Sequence, residues 1–439
     1  MYFAYTLLIL ALFAVCSPYF VYQAIRYRKY TRTIRQRLGF LPVSLNVDAE
    51  RSIWIQAVSV GEALAARPLA AELKQRYPHL RLFISTTTIA GQQVARQNVK
   101  HVDGVFYFPF DLGFSVKRTL RILKPRLFVM METEIWPRLL HECRRAGVKT
   151  MLVNGRISAR SYPRYRLVRP LLGRVLGNVD RFCVQNDQSR ERLLHLGADT
   201  SRIAVTGSLK FDALQVRGGD DRVLRFFPMS ENRPVIIAGS TMKGEEAAVL
   251  EAFGHVRVNA TRALLVIAPR HPERFGEVQA LSVEAGFKTV RRSELPIDEE
   301  PRADVVILDT IGELAQLYQV ATVVFVGGSL VDTGGHNILE PAIFGKPIVF
   351  GPYMQNFAEI REAFLESRAA VEVRDAAELE MTLRQLLTDG DERVRLGTAA
   401  RRIVEANRGA TDKTIAVLTA LLPPAEMLRP GTRRLRVVR

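Results

Sequence analysis

Short apolar runs alternate with longer amphipathic stretches along most of this chain. Residues 52–58, 80–85, 127–131, 150–154 and 182–185 have the continuous hydrophobic character of strands buried on both faces. Between them, residues 62–76, 90–97, 137–146 and 188–196 carry the three-to-four residue spacing of helices. A polar, glycine-rich interval follows, and the alternation then restarts. Strands are predicted at 235–238, 263–268, 305–308, 323–326 and 347–350. Helices are predicted at 245–259, 276–285, 313–318, 338–344, 376–388 and 391–422. Such alternation builds parallel sheets covered by helices. The expected class is therefore α/β, with two Rossmann-like domains at 26–214 and 233–425, a linker at 215–232 and a tail at 426–439. Ligands in open α/β sheets sit beyond the carboxyl ends of the strands, so two such domains facing each other would make a cleft for two substrates.

The start of the chain breaks this pattern. Residues 1–25 hold no charged side chain and are mostly apolar, enough to cross a bilayer core, which takes roughly 20 helical residues. Arg26, Arg28, Lys29, Arg32, Arg35 and Arg37 follow at once. Positive charge marks the cytoplasmic flank, so the segment reads as a membrane anchor helix with the bulk of the chain in the cytoplasm. A cleaved signal peptide would show the reverse order, with basic residues first and small residues last. A shallow interfacial helix is the other alternative. The formal net charge is +17, and nearly all of the excess lies in 26–37, 154–181 and 424–439. Basic patches on a near-neutral body select particular anionic surfaces. Cys16, Cys143 and Cys183 are too few and scattered for a disulfide framework or a metal site, which fits a reducing compartment.

Candidate chemistry gathers where predicted strands end. The run Gly327-Gly328-Ser329-Leu330-Val331-Asp332-Thr333-Gly334-Gly335-His336-Asn337-Ile338-Leu339-Glu340-Pro341 follows a strand and opens a predicted helix. Glycines let a backbone approach a ligand, a helix N-terminus attracts anions, and Asn337 and Glu340 fall on one helical face. The run is either a nucleotide-sugar seat or a tight turn without a ligand. Gly239-Ser240-Thr241, Pro269-Arg270-His271-Pro272 and Asp309-Thr310-Ile311-Gly312-Glu313 end three more strands of the same domain. Arg270 suits a phosphate, and His271 can donate to an anion. Asp309 and Glu313 read equally well as helix caps. In the first domain, Ser59-Val60-Gly61-Glu62 puts Glu62 in a first helical turn, where the dipole favours its ionised form. Glu62 is either a general base or a residue that only stabilises the helix. Glu132 and Glu134 follow a strand in Glu132-Thr133-Glu134-Ile135-Trp136-Pro137. They serve an acceptor, tune Glu62 or cap the helix that Pro137 begins. Lys210 reaches the cleft or stays solvated. Arg156, Arg160, Arg164, Arg166 and Arg169, interleaved with Tyr162 and Tyr165, suit a phosphorylated lipid or anionic head groups. Single-stranded nucleic acid is the alternative, and the anchor weighs against it. No His/Cys/Asp cluster has metal-ligand spacing, and neither a Walker A loop nor a Gly-x-Ser-x-Gly elbow occurs.

Taken in order, Ser59-Val60-Gly61-Glu62, Glu132-Thr133-Glu134-Ile135-Trp136-Pro137, Asn154-Gly155-Arg156, Gly207-Ser208-Leu209-Lys210, Pro269-Arg270-His271-Pro272 and Gly334-Gly335-His336-Asn337-Ile338-Leu339-Glu340-Pro341 resemble the 3-deoxy-D-manno-octulosonic acid (Kdo) transferases of lipopolysaccharide assembly. With the anchor, the resemblance spans nearly the whole chain. It implies a GT-B glycosyltransferase at the cytoplasmic face of the inner membrane. The implied reaction moves Kdo from CMP-Kdo to the phosphorylated lipid A precursor (lipid IVA), inverting the anomeric centre without a metal or other cofactor. The family's catalytic base falls on Glu62, with Gly61, Glu132, Glu134, Arg156 and Lys210 on the acceptor side. Its nucleotide site falls on Arg270, His271, Asn337 and Glu340, with Gly239, Ser240 and Thr241 nearby, and Gly312 and Glu313 join the donor-side candidates from their place at a strand end. Anionic membrane lipids are expected partners and nucleic acid is not. A GT-B enzyme using a UDP-sugar, and a membrane-tethered nucleotide-binding protein without activity, are the alternatives.

Overall fold

A computed structural model describes residues 2, 5–7, 9, 11, 15, 31–158, 161–214, 223–228, 233–258 and 260–422. The alternation closes into two α/β units, one of Met1–Ala213 with Arg408–Arg439 and one of Leu214–Asn407. In the first, β1 (Ser52–Gln56), β2 (Arg81–Thr86), β3 (Gly104–Tyr107), β4 (Pro125–Met131), β5 (Lys149–Gly155), β6 (Arg181–Val184) and β7 (Ile203–Val205) pair in the order β3-β2-β1-β4-β5-β6-β7. Every pairing is parallel. Successive side chains of a strand point to opposite faces, so β1 feeds two cores. Ile53 and Ile55 pack with Ala66, Leu69 and Leu73 of the helix Val60–Arg76. Trp54 packs with Phe83, Phe106 and Phe128 on the other face, and its indole N–H donates to Ser85 Oγ (2.7 Å). Burial on both faces is why these strands read as unbroken apolar runs.

The second unit repeats the plan. Its strands are β8 (Val235–Thr241), β9 (Leu264–Pro269), β10 (Thr289–Arg291), β11 (Val305–Ile307), β12 (Val323–Val326), β13 (Ile348–Phe350) and β14 (Val371–Glu372). They pair, all parallel, in the order β10-β11-β9-β8-β12-β13-β14. In each sheet the strand order reverses beside the unit's first strand, between β1 and β4 and between β8 and β12. The crevice beyond such a reversal is the ligand site of open α/β sheets.

The end of the chain departs from expectation. The sequence pattern runs one helix over 391–422 and assigns it to the second domain. The structure instead has two helices, Gly390–Ala406 and Ala410–Thr419, separated by a left-handed Gly409 (φ 92°). Hydrophobic spacing continues through the break, because a glycine turn redirects the chain without changing which residues are apolar. Ala410, Ile415, Leu418 and Leu422 then enter the core of the first unit. Asp212 clamps the turn, accepting from the Gly409 N–H (2.8 Å) and the Thr411 N–H (2.5 Å). Strands β3, β7, β10 and β14 escape the sequence pattern because they are the outermost strands of the two sheets, and their partly exposed residues lack the unbroken apolar run of a strand buried on both faces.

The anchor expected at 1–25 falls mostly outside the described residues, as does most of the linker expected at 215–232. The whole basic tail expected at 426–439 falls outside them too. Of the described N-terminal residues, Tyr2 stacks on His141 at 4.0 Å and Tyr5 donates to Asp111 Oδ2 (2.9 Å). Among the described residues, no helix is long and apolar enough to cross a membrane.

Candidate active site

Each reversal point holds a cluster of polar groups. In the first unit, Ser59 caps the helix Val60–Arg76 from extended backbone and accepts from the Glu62 N–H (3.4 Å). The Glu62 side chain folds back over this cap. Its Oε2 accepts from the Val58 N–H (2.8 Å) and its Oε1 from the Ser59 hydroxyl (2.9 Å). Glu62 is only 8% exposed. Gly61 beside it has nothing within 4 Å of where a Cβ would stand, so the face over this helix start is open.

Across the reversal, β4 runs into Glu132, which is held in the left-handed region (φ 54°). That conformation costs a non-glycine residue on the order of 1–3 kcal/mol and persists where the surroundings over-determine it. Here the Glu132 N–H donates to Val153 O (2.9 Å) on β5. Asn154, next on β5, is also left-handed (φ 56°), and its Oδ1 accepts from the Leu209 N–H (3.0 Å). That bond places Lys210, whose Nζ lies 3.6 Å from Glu132 Oε1. Thr133 donates to the backbone oxygen of Arg156. Glu134 accepts from the indole N–H of Trp136 (2.9 Å). Glu62, Glu132, Glu134, Arg156 and Lys210 are thus joined at one strand-end edge. Arg164, Arg166 and Arg169 lie on the helices Tyr162–Leu167 and Arg169–Leu176, the first of which brings Tyr165 within reach of the charge of Glu134. Arg160 falls outside the described residues.

The electrostatics follow from crowding carboxylates in a buried place. Burial first, then the charge of Glu132, pushes the Glu62 carboxyl up to about 7, against the opposing Val58 N–H; Glu134 adds to the rise. Burial also pushes Glu134 up to about 7, opposed by the Trp136 N–H and helped by Glu132. Glu62 thus closes over the start of its own helix, and its carboxyl, expected to be held ionised by the helix dipole, is instead pushed toward its protonated form by burial and the neighbouring carboxylates.

In the second unit, β8 ends in Gly239, Ser240 and Thr241, with Ser240 left-handed (φ 58°). Gly239 is required by contact, since a Cβ there would lie 2.2 Å from the Tyr318 hydroxyl. Tyr318 in turn feels the charge of Glu340, which with burial holds its phenol well above its usual range. Asn337 Nδ2 donates to Glu340 Oε1 (3.1 Å), and Asn337 Oδ1 accepts from the Leu339 N–H (3.1 Å). The two side chains meet, but not along a helical face. The helix is only Leu339–Ala342, and Asn337 lies before it. Arg270 and His271 leave β9 exposed. Burial, then the charges of Arg270 and His271, pushes His336 down to about 4, so its imidazole is neutral at neutral pH. Its Nε2 is buried without a hydrogen-bond partner among the described residues.

Two expectations need correction. The turn after β12 does not offer free backbone N–H groups to a ligand. Those of Gly328, Ser329 and Leu330 all donate to the buried Glu245 carboxylate. The β11 end is also tied up internally. Asp309 accepts from the Ser293 N–H (3.0 Å) and hydroxyl (2.6 Å), and Glu313 pairs with Arg292 (2.9 Å). Gly312 beside it (φ 92°) has no neighbour within 4 Å of a Cβ position. Sequence reasoning missed Glu245, and also the buried pair Arg274–Glu246 behind Thr241. Among the described residues, no three His, Cys, Asp or Glu side chains gather as metal ligands.

Comparison with known proteins narrows the chemistry. Residues 32–213 match the family model described as 3-deoxy-D-manno-octulosonic-acid transferase, and 247–403 match glycosyl transferases group 1. The chain is 33% identical over 432 residues to the 3-deoxy-D-manno-octulosonic acid transferase of Haemophilus influenzae, covering 96% of this chain and 98% of the relative. It is also 33% identical to the C-terminal CMP-Kdo binding domain of WaaA from Acinetobacter baumannii, covering 40% of this chain and 91% of that one, with a TM-score of 0.37. A glycosyltransferase from Rickettsia africae is 13% identical and shares the fold with a TM-score of 0.55, covering 84% of this chain and 98% of that one. The two parallel α/β units are those of a GT-B glycosyltransferase.

Proposed function

The chain belongs to the 3-deoxy-D-manno-octulosonic acid transferase family and is a glycosyltransferase, and from that premise we propose that it moves Kdo from CMP-Kdo to the lipid A precursor, with inversion, at the cytoplasmic face of the inner membrane. The observation that supports this most is Glu62, a buried carboxylate titrating near neutrality at a reversal point. In this reading Glu62 takes the proton of the acceptor hydroxyl. The oxygen forms its bond to the anomeric carbon of Kdo, the bond from that carbon to the phosphate oxygen breaks, and CMP leaves with the electron pair. Glu132 and Glu134 raise the basicity of Glu62, and Lys210 moderates Glu132. On the donor side Arg270 and His271 meet the phosphate. Asn337 orients Glu340 toward the ribose, and no metal takes part. Anionic lipids meet the basic segments, where Leu167 (84% exposed), Val168 and Leu171 stand among Arg164, Arg166 and Arg169.

A base that must be ionised and titrates at about 7 makes turnover rise through neutral pH and level off above it. Glu132→Gln removes the largest charge acting on Glu62, so the midpoint of kcat against pH should move to lower pH. A midpoint that stays in place would show that Glu132 does not set it. Arg270→Ala should raise KM for CMP-Kdo by roughly 10- to 100-fold, the worth of a charge-assisted hydrogen bond. Unchanged donor affinity and turnover would remove Arg270 from the phosphate site. A UDP-sugar donor is the competing reading. Incubating the enzyme with lipid A precursor and either CMP-Kdo or UDP-sugars, then weighing the products, decides between them and counts the Kdo residues added.

A further inference from the structure

The turn after β12 already holds an anion, and the anion belongs to the protein. Glu245 begins the helix Glu245–Arg257 and is 1% exposed. Its Oε2 accepts from the N–H groups of Met242 (2.9 Å) and Gly328 (2.6 Å), and its Oε1 from those of Ser329 (2.8 Å) and Leu330 (2.8 Å). Convergent backbone N–H groups of this kind are what glycine turns and helix starts present to phosphate. The surroundings leave no slack. A Cβ on Gly327 would stand 2.7 Å from Ser240 O, and one on Gly328 would stand 2.8 Å from His336 Cδ2. Gly328 O also accepts from the Gly335 N–H (2.7 Å) and the Thr333 hydroxyl (3.0 Å). Through Gly328, then, Glu245 holds the backbone that carries His336 and Asn337.

We propose that Glu245 is a specificity-determining and positioning residue, which fills the phosphate-binding N–H groups of this turn so that the donor site takes a nucleotide with one phosphate and turns away one with two. This rests on the reading that the second unit binds the cytidylate donor. A sugar joined to CMP carries a single phosphodiester charge, which Arg270 can meet. A second phosphate would need the N–H groups that Glu245 occupies, or would lie against its carboxylate. The residue thereby excludes nucleoside diphosphate donors while fixing the loop that reads the nucleotide.

Calorimetric titration of the full chain with CMP and with CDP, at one ionic strength, tests this. Wild type should bind CDP no more tightly than CMP. Glu245→Ala vacates the N–H groups, so the ratio of CDP to CMP affinity should rise by about tenfold or more, the worth of at least one hydrogen bond to a charged group. A role in holding the fold alone would weaken both ligands in proportion and leave the ratio fixed, which would overturn the proposal. Glu245→Gln keeps the shape and vacates the N–H groups facing its amide nitrogen. It should raise the ratio less, and it decides the matter if the alanine variant does not fold. Wild type that binds no CMP would bring down the donor reading and this proposal together. Variants that bind CMP with an unchanged ratio would bring down the proposal alone.

Discussion

Glu62→Gln lowers kcat by about three orders of magnitude, within the range that removal of a general base produces, and leaves CMP-Kdo affinity intact. The amide keeps the size of the side chain and an acceptor for the Val58 N–H or the Ser59 hydroxyl, but it cannot take a proton. Single-turnover rates with saturating donor and acceptor are the measurement. Turnover near that of wild type would end the assignment of Glu62 as the base. A thermal melt separates this loss from unfolding. The Glu62 carboxyl has an ordinary value of 4.5 and rises to about 7 in the folded protein. Folding thus favours its protonated form, a contribution complete below about 4.5 and lost as pH rises through about 7. The glutamine variant has no such titration, so its stability relative to wild type should increase between about pH 5 and 8. A difference that does not change with pH would place the titration elsewhere.

Arg274→Met destabilises the second unit by about 3–5 kcal/mol, the usual result of stranding one partner of a buried ion pair. Arg274 is 9% exposed and Glu246 is 1% exposed. Their two parallel bonds measure 2.6 and 3.2 Å. Without the guanidinium, Glu246 keeps the Thr241 hydroxyl (3.0 Å). Thr241 ends β8 at the reversal point, so CMP affinity falls with stability. Adding Glu246→Gln removes the stranded charge and should recover most of the loss. Hydrogen exchange in β8 and the helix Glu245–Arg257 reads this unit by itself, since a chain of two units need not unfold in one step. A double variant as unstable as the two single losses combined would show that the pair is not coupled.

The strand ends were readable because each follows an apolar run and carries glycines or charges that a core would not admit. Periodicity placed Glu62, Glu132, Arg270 and Asn337 at or beyond strand ends, and the resemblance supplied the roles expected of Glu62, Arg270 and Asn337. It could not locate Glu245. A glutamate in a first helical turn looks like any other that complements the dipole, and its partners in the turn after β12 lie more than 80 residues further along the chain. The same blindness hid Glu246 with Arg274, whose pairing depends on β8 and the helix packing together. Asn337 and Glu340 were matched by spacing, yet they meet across the turn that precedes a short helix rather than along a helical face. Asp309 and Glu313 looked equally fit to touch a ligand or to cap a helix, and their bonds to Ser293 and Arg292, supplied by neighbouring segments, could not be read from spacing.

The return of the helix Ala410–Thr419 to the first unit also sets an order for biosynthesis. Four side chains of that unit's core, Ala410, Ile415, Leu418 and Leu422, are translated only after the whole of the second unit. At about 5–20 residues per second, the ribosome spends on the order of 10 to 40 s on the intervening segment. During that time the nascent first unit waits with part of its apolar face uncovered. The unit that begins first is finished last, so a transcript truncated after the second unit encodes that unit whole and leaves the first one incomplete.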